Sequence, residues 1–105
     1  MELNIPEKLE LNIPEKYQKD IKLAIDLLKN EGCQSVFLFG SLVTGKNHGQ
    51  SDIDIGIKGL PKGKFLDVYS RIYFDIDSEI DLVDFDANSD FYSMLSRIGE
   101  VVQIG

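Results

Sequence analysis

The sequence is poor in residues that build disulfide-linked, zinc-binding or membrane-spanning proteins. Its 105 residues include one cysteine, Cys33, one histidine, His48, and no tryptophan. The single cysteine excludes an intramolecular disulfide and a cysteine-based zinc cluster, and the single histidine, in a polar stretch, argues against a Ser-His-Asp triad. No apolar run approaches the length of a membrane span, and the N-terminal residues lack the basic start and apolar core of a secretion signal. We therefore expect a cytoplasmic protein that has no membrane association.

Basic residues are also scarce. Lys and Arg number 11 against 18 Asp and Glu, which gives a formal net charge of -7. Such a surface repels nucleic-acid phosphates unless a local basic patch or a bound cation intervenes. The acidic residues are concentrated in one part of the chain, with ten Asp or Glu and four Lys or Arg between Asp52 and Asp90. We expect no direct binding of nucleic acid.

The length leaves room for one hydrophobic core, and the 43% hydrophobic content is ordinary for a globular domain. A short tandem repeat stands at the N-terminus, where residues 2–9 read ELNIPEKL and residues 10–17 read ELNIPEKY. Two copies of eight residues are too few and too short for a solenoid. We interpret residues 1–13 as a duplicated N-terminal arm and residues 14–105 as the single domain.

The hydrophobic pattern alternates between helix and strand. A helical stripe runs through residues 14–28, and Gly32 is placed to end that helix. The apolar run at residues 35–39 is typical of a strand buried on both faces. The same pattern predicts further helices at residues 65–72 and 91–98 and further strands at residues 52–58, 79–85 and 101–104, the last at an edge. We predict an α/β fold with a small mixed sheet of about four strands flanked by helices, and the pairing sense of the first two strands stays open.

A glycine-serine turn followed by two aspartates carries the clearest chemistry. Gly40 and Ser41 follow the first strand, and after ten further residues Asp52 and Asp54 begin the second. Gly40 permits a sharp turn and close approach to a ligand, and Ser41 can open a helical turn that bonds phosphate oxygens. Strand alternation places the two carboxylates on one face, about 6.6 Å apart along the strand. They repel each other unless a cation intervenes, and hard oxygen ligands suit Mg²⁺.

A third carboxylate from another strand would complete a two-metal phosphoryl-transfer site. Asp81 is the best-placed candidate, because strand alternation turns its apolar neighbours to the opposite face. Asp84 has the opposite parity and cannot face the same site in a regular strand. Lys46, in the loop between the first two strands, is a candidate contact for a triphosphate, and a solvated loop lysine explains it equally well.

These residues resemble the minimal nucleotidyltransferase domain of the polymerase-beta superfamily. The resemblance covers roughly residues 15–105 and rests on the Gly-Ser pair, the Asp-x-Asp pair ten residues later and the third aspartate. It implies a nucleotidyltransferase fold in which the Gly-Ser pair contacts a nucleoside triphosphate and the Asp-x-Asp pair binds Mg²⁺. The third aspartate contributes a metal ligand or a base. Carried over, these roles fall on Gly40, Ser41, Asp52, Asp54 and Asp81.

Stand-alone members of this size resemble antitoxins encoded beside a helical HEPN-type ribonuclease toxin. The resemblance implies that the chain transfers AMP from ATP to a tyrosine of that toxin and so silences it within a hetero-oligomer. One position departs from the family pattern: Leu42 stands where members often carry Arg. Either Lys46 neutralises phosphate charge instead, or nucleotide affinity is weaker. The alternative function is a binding module, a non-catalytic antitoxin that neutralises its partner by stoichiometric contact through the last strand or exposed helix faces.

Other patterns overlap this constellation and fit less well. Residues 40–46 match a phosphate-binding P-loop up to its lysine, but Asn47 replaces the required Ser or Thr and no long helix follows. A calcium loop starting at Asp52 would lack oxygen ligands at its fifth and twelfth positions. Two solvated carboxylates on an exposed strand face have little support, because acidic residues are depleted in strands. The second Asp-x-Asp, at residues 75–77, lies at a predicted turn and is treated as structural. We interpret the tyrosines on helical stripes as packing residues: Tyr69, Tyr73 and Tyr92.

Overall fold

The computed structural model describes residues 13–45 and 52–105. Most of the predicted arm, together with Lys46 and His48, lies outside the described residues. No helix in the described ranges is long and apolar enough to cross a bilayer. The helices are α1 (Glu15–Asn30), α2 (Ser41–Thr44), α3 (Phe65–Asp75) and α4 (Ser89–Arg97), and the strands are β1 (Ser35–Phe39), β2 (Ile53–Lys58), β3 (Ile80–Asp84) and β4 (Val101–Gln103).

The four strands form one mixed sheet in the order β3-β2-β1-β4. Strands β2 and β4 both run antiparallel to β1, whereas β3 runs parallel to β2. The predicted mixed sheet flanked by helices is therefore confirmed, and the pairing sense that the sequence left open is antiparallel. Strand β4 lies at one edge, as predicted, and β3 lies at the other edge of the described sheet.

Local sequence explains where the first helix begins and ends. Pro14 precedes α1 with a φ of -54°, and it lacks an N–H that would be unpaired at that position. Gly32 follows the helix with a φ of +93°, a backbone conformation that is costly for residues with a Cβ. The helix buries the predicted stripe: Tyr17, Ile21, Ala24, Ile25 and Leu28.

The sheet has two different faces. The aliphatic face carries the alternate residues of β2, namely Ile53, Ile55 and Ile57, which are completely buried beneath α1 and α3. The aromatic face carries Phe37, Phe39 and Phe85, which form a second cluster with Leu95 of α4. Gly56 lies on this face, and a Cβ there would stand 2.1 Å from the Phe85 ring. The absence of a side chain at Gly56 lets that ring lie directly on the sheet.

Candidate active site

Two aspartates lie side by side at one end of the aromatic face. Asp54 of β2 is in register with Asp81 of the parallel strand β3 and with Phe39 of the antiparallel strand β1. Residues in register on paired strands project to the same face of a sheet. Asp81 is exposed and Asp54 is half-buried, so this end of the face is open to solvent although α4 covers the aromatic cluster beside it. Asp52, exposed, immediately precedes β2.

The charge on Asp54 is unfavourable in this position. Burial raises the pKa of the Asp54 carboxyl to about 6, and repulsion first from Asp81 and then from Asp52 contributes to the increase. None of these three carboxylates forms an ion pair or hydrogen bond with another residue in the described ranges. The three predicted acidic residues therefore influence one another electrostatically, and a proton or a cation would relieve their repulsion.

Gly40 lies directly beneath the Asp54 carboxylate. Its φ is +79°, and a Cβ built on it would stand 2.0 Å from Oδ2 of Asp54. That separation is far inside van der Waals contact, so any residue larger than glycine would displace the carboxylate. The backbone of the glycine-serine turn and the acidic pair therefore share one small volume.

Ser41 begins the short helix α2, as the sequence predicted. The N–H groups of Val43 and Thr44 both donate to the carbonyl oxygen of Gly40. The N–H groups of Ser41 and Leu42 donate to no residue within the described ranges. Unused N–H groups at the start of a helical turn are suited to bind anionic oxygens. The Leu42 side chain is completely buried in the aliphatic core, so it presents no charge to such an anion.

The residues present fit a hard divalent cation by chemistry and charge. All three candidates are carboxylates, the ligand type that Mg²⁺ prefers, and the raised pKa of Asp54 reflects its burial first and then repulsion from Asp81 and Asp52. In the described part of the chain, however, no three metal-ligating side chains already surround one point where an ion could bind. The expected common coordination by Asp52, Asp54 and Asp81 is thus not preassembled, and it remains a proposal. Lys46 lies outside the described residues.

The sequence analysis missed a polar contact that supports the entry to β3. Asp20 of α1 is buried, and it accepts a hydrogen bond from the hydroxyl of Ser78 in the turn before β3. Asp20 lies on the same helical face as Tyr17 and Ala24, and an acidic residue at a core-facing position was the available signal. The contact joins α1 to the turn that leads into the strand carrying Asp81.

A cavity of about 600 Å³ lies between α3 and the start of β3. Its walls include Asp81 and the outward part of α3, where the side chains of Tyr73 and Phe74 are 72% and 81% exposed. The interpretation of Tyr73 as a packing residue is therefore wrong, and Tyr69 is also exposed, at 37%. Tyr92 does pack, against the aromatic cluster. Within α3 only Val68 and Ile72 are fully buried; they lie four residues apart on one face of the helix, and Tyr73 lies off that face.

Comparison with known proteins assigns this fold to a family. Residues 22–102 match the family model described as polymerase beta, nucleotidyltransferase. A solved structure described as a toxin-antitoxin with AMP-PNP superimposes with a TM-score of 0.61 and 28% sequence identity, over 80% of this chain and 70% of that chain. A mutant of the toxin-antitoxin MntA-HpeT superimposes with a TM-score of 0.49 and 29% identity, over 64% and 57% of the two chains. No curated protein matches the sequence.

Proposed function

This chain belongs to the polymerase beta nucleotidyltransferase family, and from that premise we propose that it transfers AMP from ATP to a side chain of a partner protein and thereby acts as an antitoxin. The observation that carries the proposal is the pairing of Asp54 with Asp81 directly above the Gly40 backbone. A partner toxin and an adenine nucleotide are supported by the similar solved structure, a toxin-antitoxin with AMP-PNP. We propose that the acceptor is a tyrosine of a HEPN-type ribonuclease toxin.

The glycine-serine turn would hold the triphosphate. The N–H groups of Ser41 and Leu42 and the hydroxyl of Ser41 directly follow Gly40, whose backbone lies against the Asp54 carboxylate. Backbone N–H groups at the start of a helical turn bind phosphate oxygens without requiring a basic side chain. In this arrangement they contact the β- and γ-phosphates, and the α-phosphate lies toward Asp54 and Asp81.

Asp52, Asp54 and Asp81 would hold the Mg²⁺ that accompanies the nucleotide. When bound, Mg²⁺ neutralises charge on the phosphate oxygens and stabilises the charge that develops during transfer. The chain has a net charge of -7, and burial together with repulsion from Asp81 and Asp52 opposes the charge on Asp54, so we expect a bare triphosphate to be repelled. We therefore expect nucleotide binding to depend steeply on the Mg²⁺ concentration.

Asp81 is placed to handle the proton of the acceptor. It is exposed and lines the cavity beside α3, so an incoming hydroxyl can reach it from solvent. The hydroxyl oxygen forms a bond to the α-phosphorus, and its proton passes to the Asp81 carboxylate. The bond from the α-phosphorus to the bridging oxygen breaks, and pyrophosphate leaves opposite the attacking oxygen. The Asp81 carboxylate is either this base or a ligand of the second ion.

The test is transfer of label from α-³²P-ATP to the toxin encoded beside this chain, with Mg²⁺ present. We expect label in the toxin with the wild-type chain and with Asp67→Asn, an exposed control on α3. We expect Asp54→Asn to lower the rate by a factor of about a thousand, the loss typical for removal of a central catalytic group. Transfer that continues unchanged with Asp54→Asn would overturn the proposal.

The second candidate is an antitoxin that acts by stoichiometric contact. The observation that favours it is the burial of Leu42, which leaves no cationic side chain next to Ser41 in the described part of the turn. In that case the chain inhibits the toxin without ATP, and Asp54→Asn inhibits equally well. The same two proteins and the same variant therefore decide between the two functions.

A further inference from the structure

We propose that the cavity between α3 and β3 binds an extended, positively charged segment of the acceptor protein and delivers its hydroxyl side chain to Asp81. This inference rests on the proposed function, since it assigns the path by which the acceptor reaches that site. Below, the cavity is called the edge groove. Its lining consists of Tyr69, Ile72, Tyr73 and Phe74 of α3 and of residues 76–82, which lead into and form the first part of β3.

The shape of the edge groove suits an extended polypeptide. Seven consecutive residues, 76–82, line it. Three of them, residues 80–82, belong to β3, where neighbouring side chains point to opposite faces, so the part of the wall that includes all three is formed by strand backbone. With a volume of about 600 Å³, the edge groove has room for several residues of a strand-like segment. A groove floored by strand backbone is the arrangement by which peptides add a strand to a sheet.

The outward backbone groups of β3 are free to pair in the described structure. The carbonyl oxygen of Glu79 accepts from the N–H of Ile53, and the N–H of Phe85 donates to Ile57, so alternate residues from 79 to 85 bond to β2. In a parallel ladder the intervening residues turn their N–H and C=O groups to the other side. Those of Ile80 and Leu82 therefore face the edge groove, and no strand within residues 13–45 and 52–105 pairs with them.

The charge of the edge groove selects a cationic segment. Three acidic residues line it, Asp77, Glu79 and Asp81, and no Lys or Arg lies among its lining residues. No described basic residue forms an ion pair with any of them. A partner segment that carries Lys or Arg would supply the missing charges, whereas an acidic segment would be repelled.

Exposed aromatic side chains stand at the mouth of the edge groove. Tyr73 and Phe74 are largely exposed, and their rings contact each other edge to face with centroids 5.3 Å apart. Tyr69, also a lining residue, is partly exposed on the same helix. Aromatic residues are the commonest energetic anchors of protein interfaces, because they bury a large area with little loss of conformational freedom. These rings provide hydrophobic anchors for a bound segment beside the acidic residues of the edge groove.

The edge groove leads to the candidate active site through Asp81. The Asp81 side chain lies on the aromatic face next to Asp54, and Asp81 is also one of the residues that line the edge groove. A segment paired with β3 therefore passes within reach of the carboxylate that would take the acceptor proton. Asp81 therefore belongs both to the edge groove and to the candidate active site.

The first test measures peptide binding to the full chain without nucleotide. The probe is a fluorescent nine-residue peptide with a central tyrosine flanked by valines and lysines. One comparison peptide carries glutamates in place of the lysines, and another keeps the sequence but has N-methylated backbone amides. We expect the cationic peptide to bind at least about tenfold more tightly than either, because the others lose charge complementarity or strand hydrogen bonds. Equal binding of the N-methylated peptide would overturn the strand-like docking mode.

Variants separate the edge groove from general attraction to a protein of charge -7. Glu79→Lys should weaken binding of the cationic peptide about tenfold, whereas Asp67→Lys, the same charge change on α3 outside the edge groove, should weaken it less than about twofold. Ile80→Pro, which removes an outward N–H along with part of a side chain that packs on the core, should reproduce the loss without reversing a charge. Equal losses for Glu79→Lys and Asp67→Lys would overturn the proposal. So would failure of every peptide to bind, the result expected if residues 1–12 or a second copy occupy the edge.

Failure of this inference is distinguishable from failure of the proposed function. Asp54→Asn should abolish transfer of label to the toxin and leave peptide binding unchanged. Transfer by the wild type that Glu79→Lys and Ile80→Pro do not alter would overturn the edge groove alone. Peptide binding as expected, without any transfer of label by the wild type, would overturn the proposed activity alone.

Discussion

The two faces of the sheet differ in how completely they are covered. On the aliphatic face, Ile53, Ile55 and Ile57 are completely buried beneath α1 and α3. On the aromatic face, α4 covers the ring cluster, but Asp54 and Asp81 remain at an open end. Strand β2 contributes to both faces, because its side chains alternate. Residues that stabilise the fold and residues of the candidate active site therefore alternate along a single strand.

The energetic difference between the two faces follows from this coverage. Complete burial of an isoleucine side chain stabilises a fold by about 2 kcal/mol, so the aliphatic face contributes strongly to folding. The acidic end, which is the open end that carries Asp54 and Asp81, has the opposite effect, since burial and repulsion oppose the charge on Asp54. Functional sites commonly hold such unfavourable groups because a ligand relieves them when it binds.

The largest effect is expected from a methyl group placed beneath the acidic end. Gly40→Ala should weaken ATP·Mg²⁺ binding and label transfer by about a hundredfold, because its Cβ would overlap Oδ2 of Asp54 and displace the carboxylate. Gly45→Ala is the matched control: Gly45 has a similar φ of +78°, but a Cβ there meets no atom of the described residues within 4 Å. Both variants should lose about 1 kcal/mol of stability from backbone strain. Equal activities of the two variants would show that close contact between the Gly40 backbone and the Asp54 carboxylate is not needed for activity.

A smaller effect is expected when the charge at the acidic end is removed. Asp54→Asn should raise the free energy of unfolding at pH 7 by about 1 kcal/mol, a value reduced from the full pKa shift because water screens a half-buried group. The pKa of Asp54 is about 6 in the folded chain and 3.8 in the unfolded chain. The folded state therefore holds the proton more tightly, and the wild type loses stability as the pH rises from about 4 to about 6.

This pH dependence predicts the direction in which the stability difference between the wild type and the variant changes. In urea titrations with EDTA, the stability advantage of Asp54→Asn should be present at pH 7 and absent near pH 4. Millimolar Mg²⁺ should stabilise the wild type more than the variant, since an ion that binds only the folded site shifts the equilibrium by mass action. If the variant is less stable than the wild type at pH 7, the charge on Asp54 stabilises the fold. That result would contradict the difference in stability proposed for the two faces.

A third effect, on stability alone, concerns the contact that joins α1 to the turn before β3. Ser78→Ala removes the donor to the buried Asp20 carboxylate and should lower the free energy of unfolding by about 1 to 2 kcal/mol. Ser70→Ala is the control, because its hydroxyl donates to a carbonyl on the exposed surface of α3 and its loss should change stability by less than about 0.5 kcal/mol. Urea titrations of both variants measure the difference. Identical urea midpoints for the two variants would show that the hydrogen bond to Asp20 does not stabilise the position of β3.

Much of the fold follows from local pattern. The alternation of β2, the buried stripe of α1 and the glycine after it are properties of neighbouring residues, and they predicted the elements correctly. The prediction for Tyr73 failed because the buried residues of this segment, Val68, Ile72 and Ile76, repeat every four residues, and Tyr73 lies off that line. The roles of Asp20 and Gly56 were missed because each depends on a distant partner, Ser78 or Phe85, that no local pattern identifies.

The amino-acid sequence by itself determined which side chains share a face of each strand, since that depends only on the two-residue period of an extended backbone. It thereby separated Asp81 from Asp84 and aligned Asp54 with Gly56. Only the tertiary structure decided that β3 lies parallel to β2, that Asp81 is in register with Asp54, and that Gly40 lies beneath that carboxylate. Register is set by packing between segments far apart in the chain, and a shift of one residue would have turned Asp81 to the buried face.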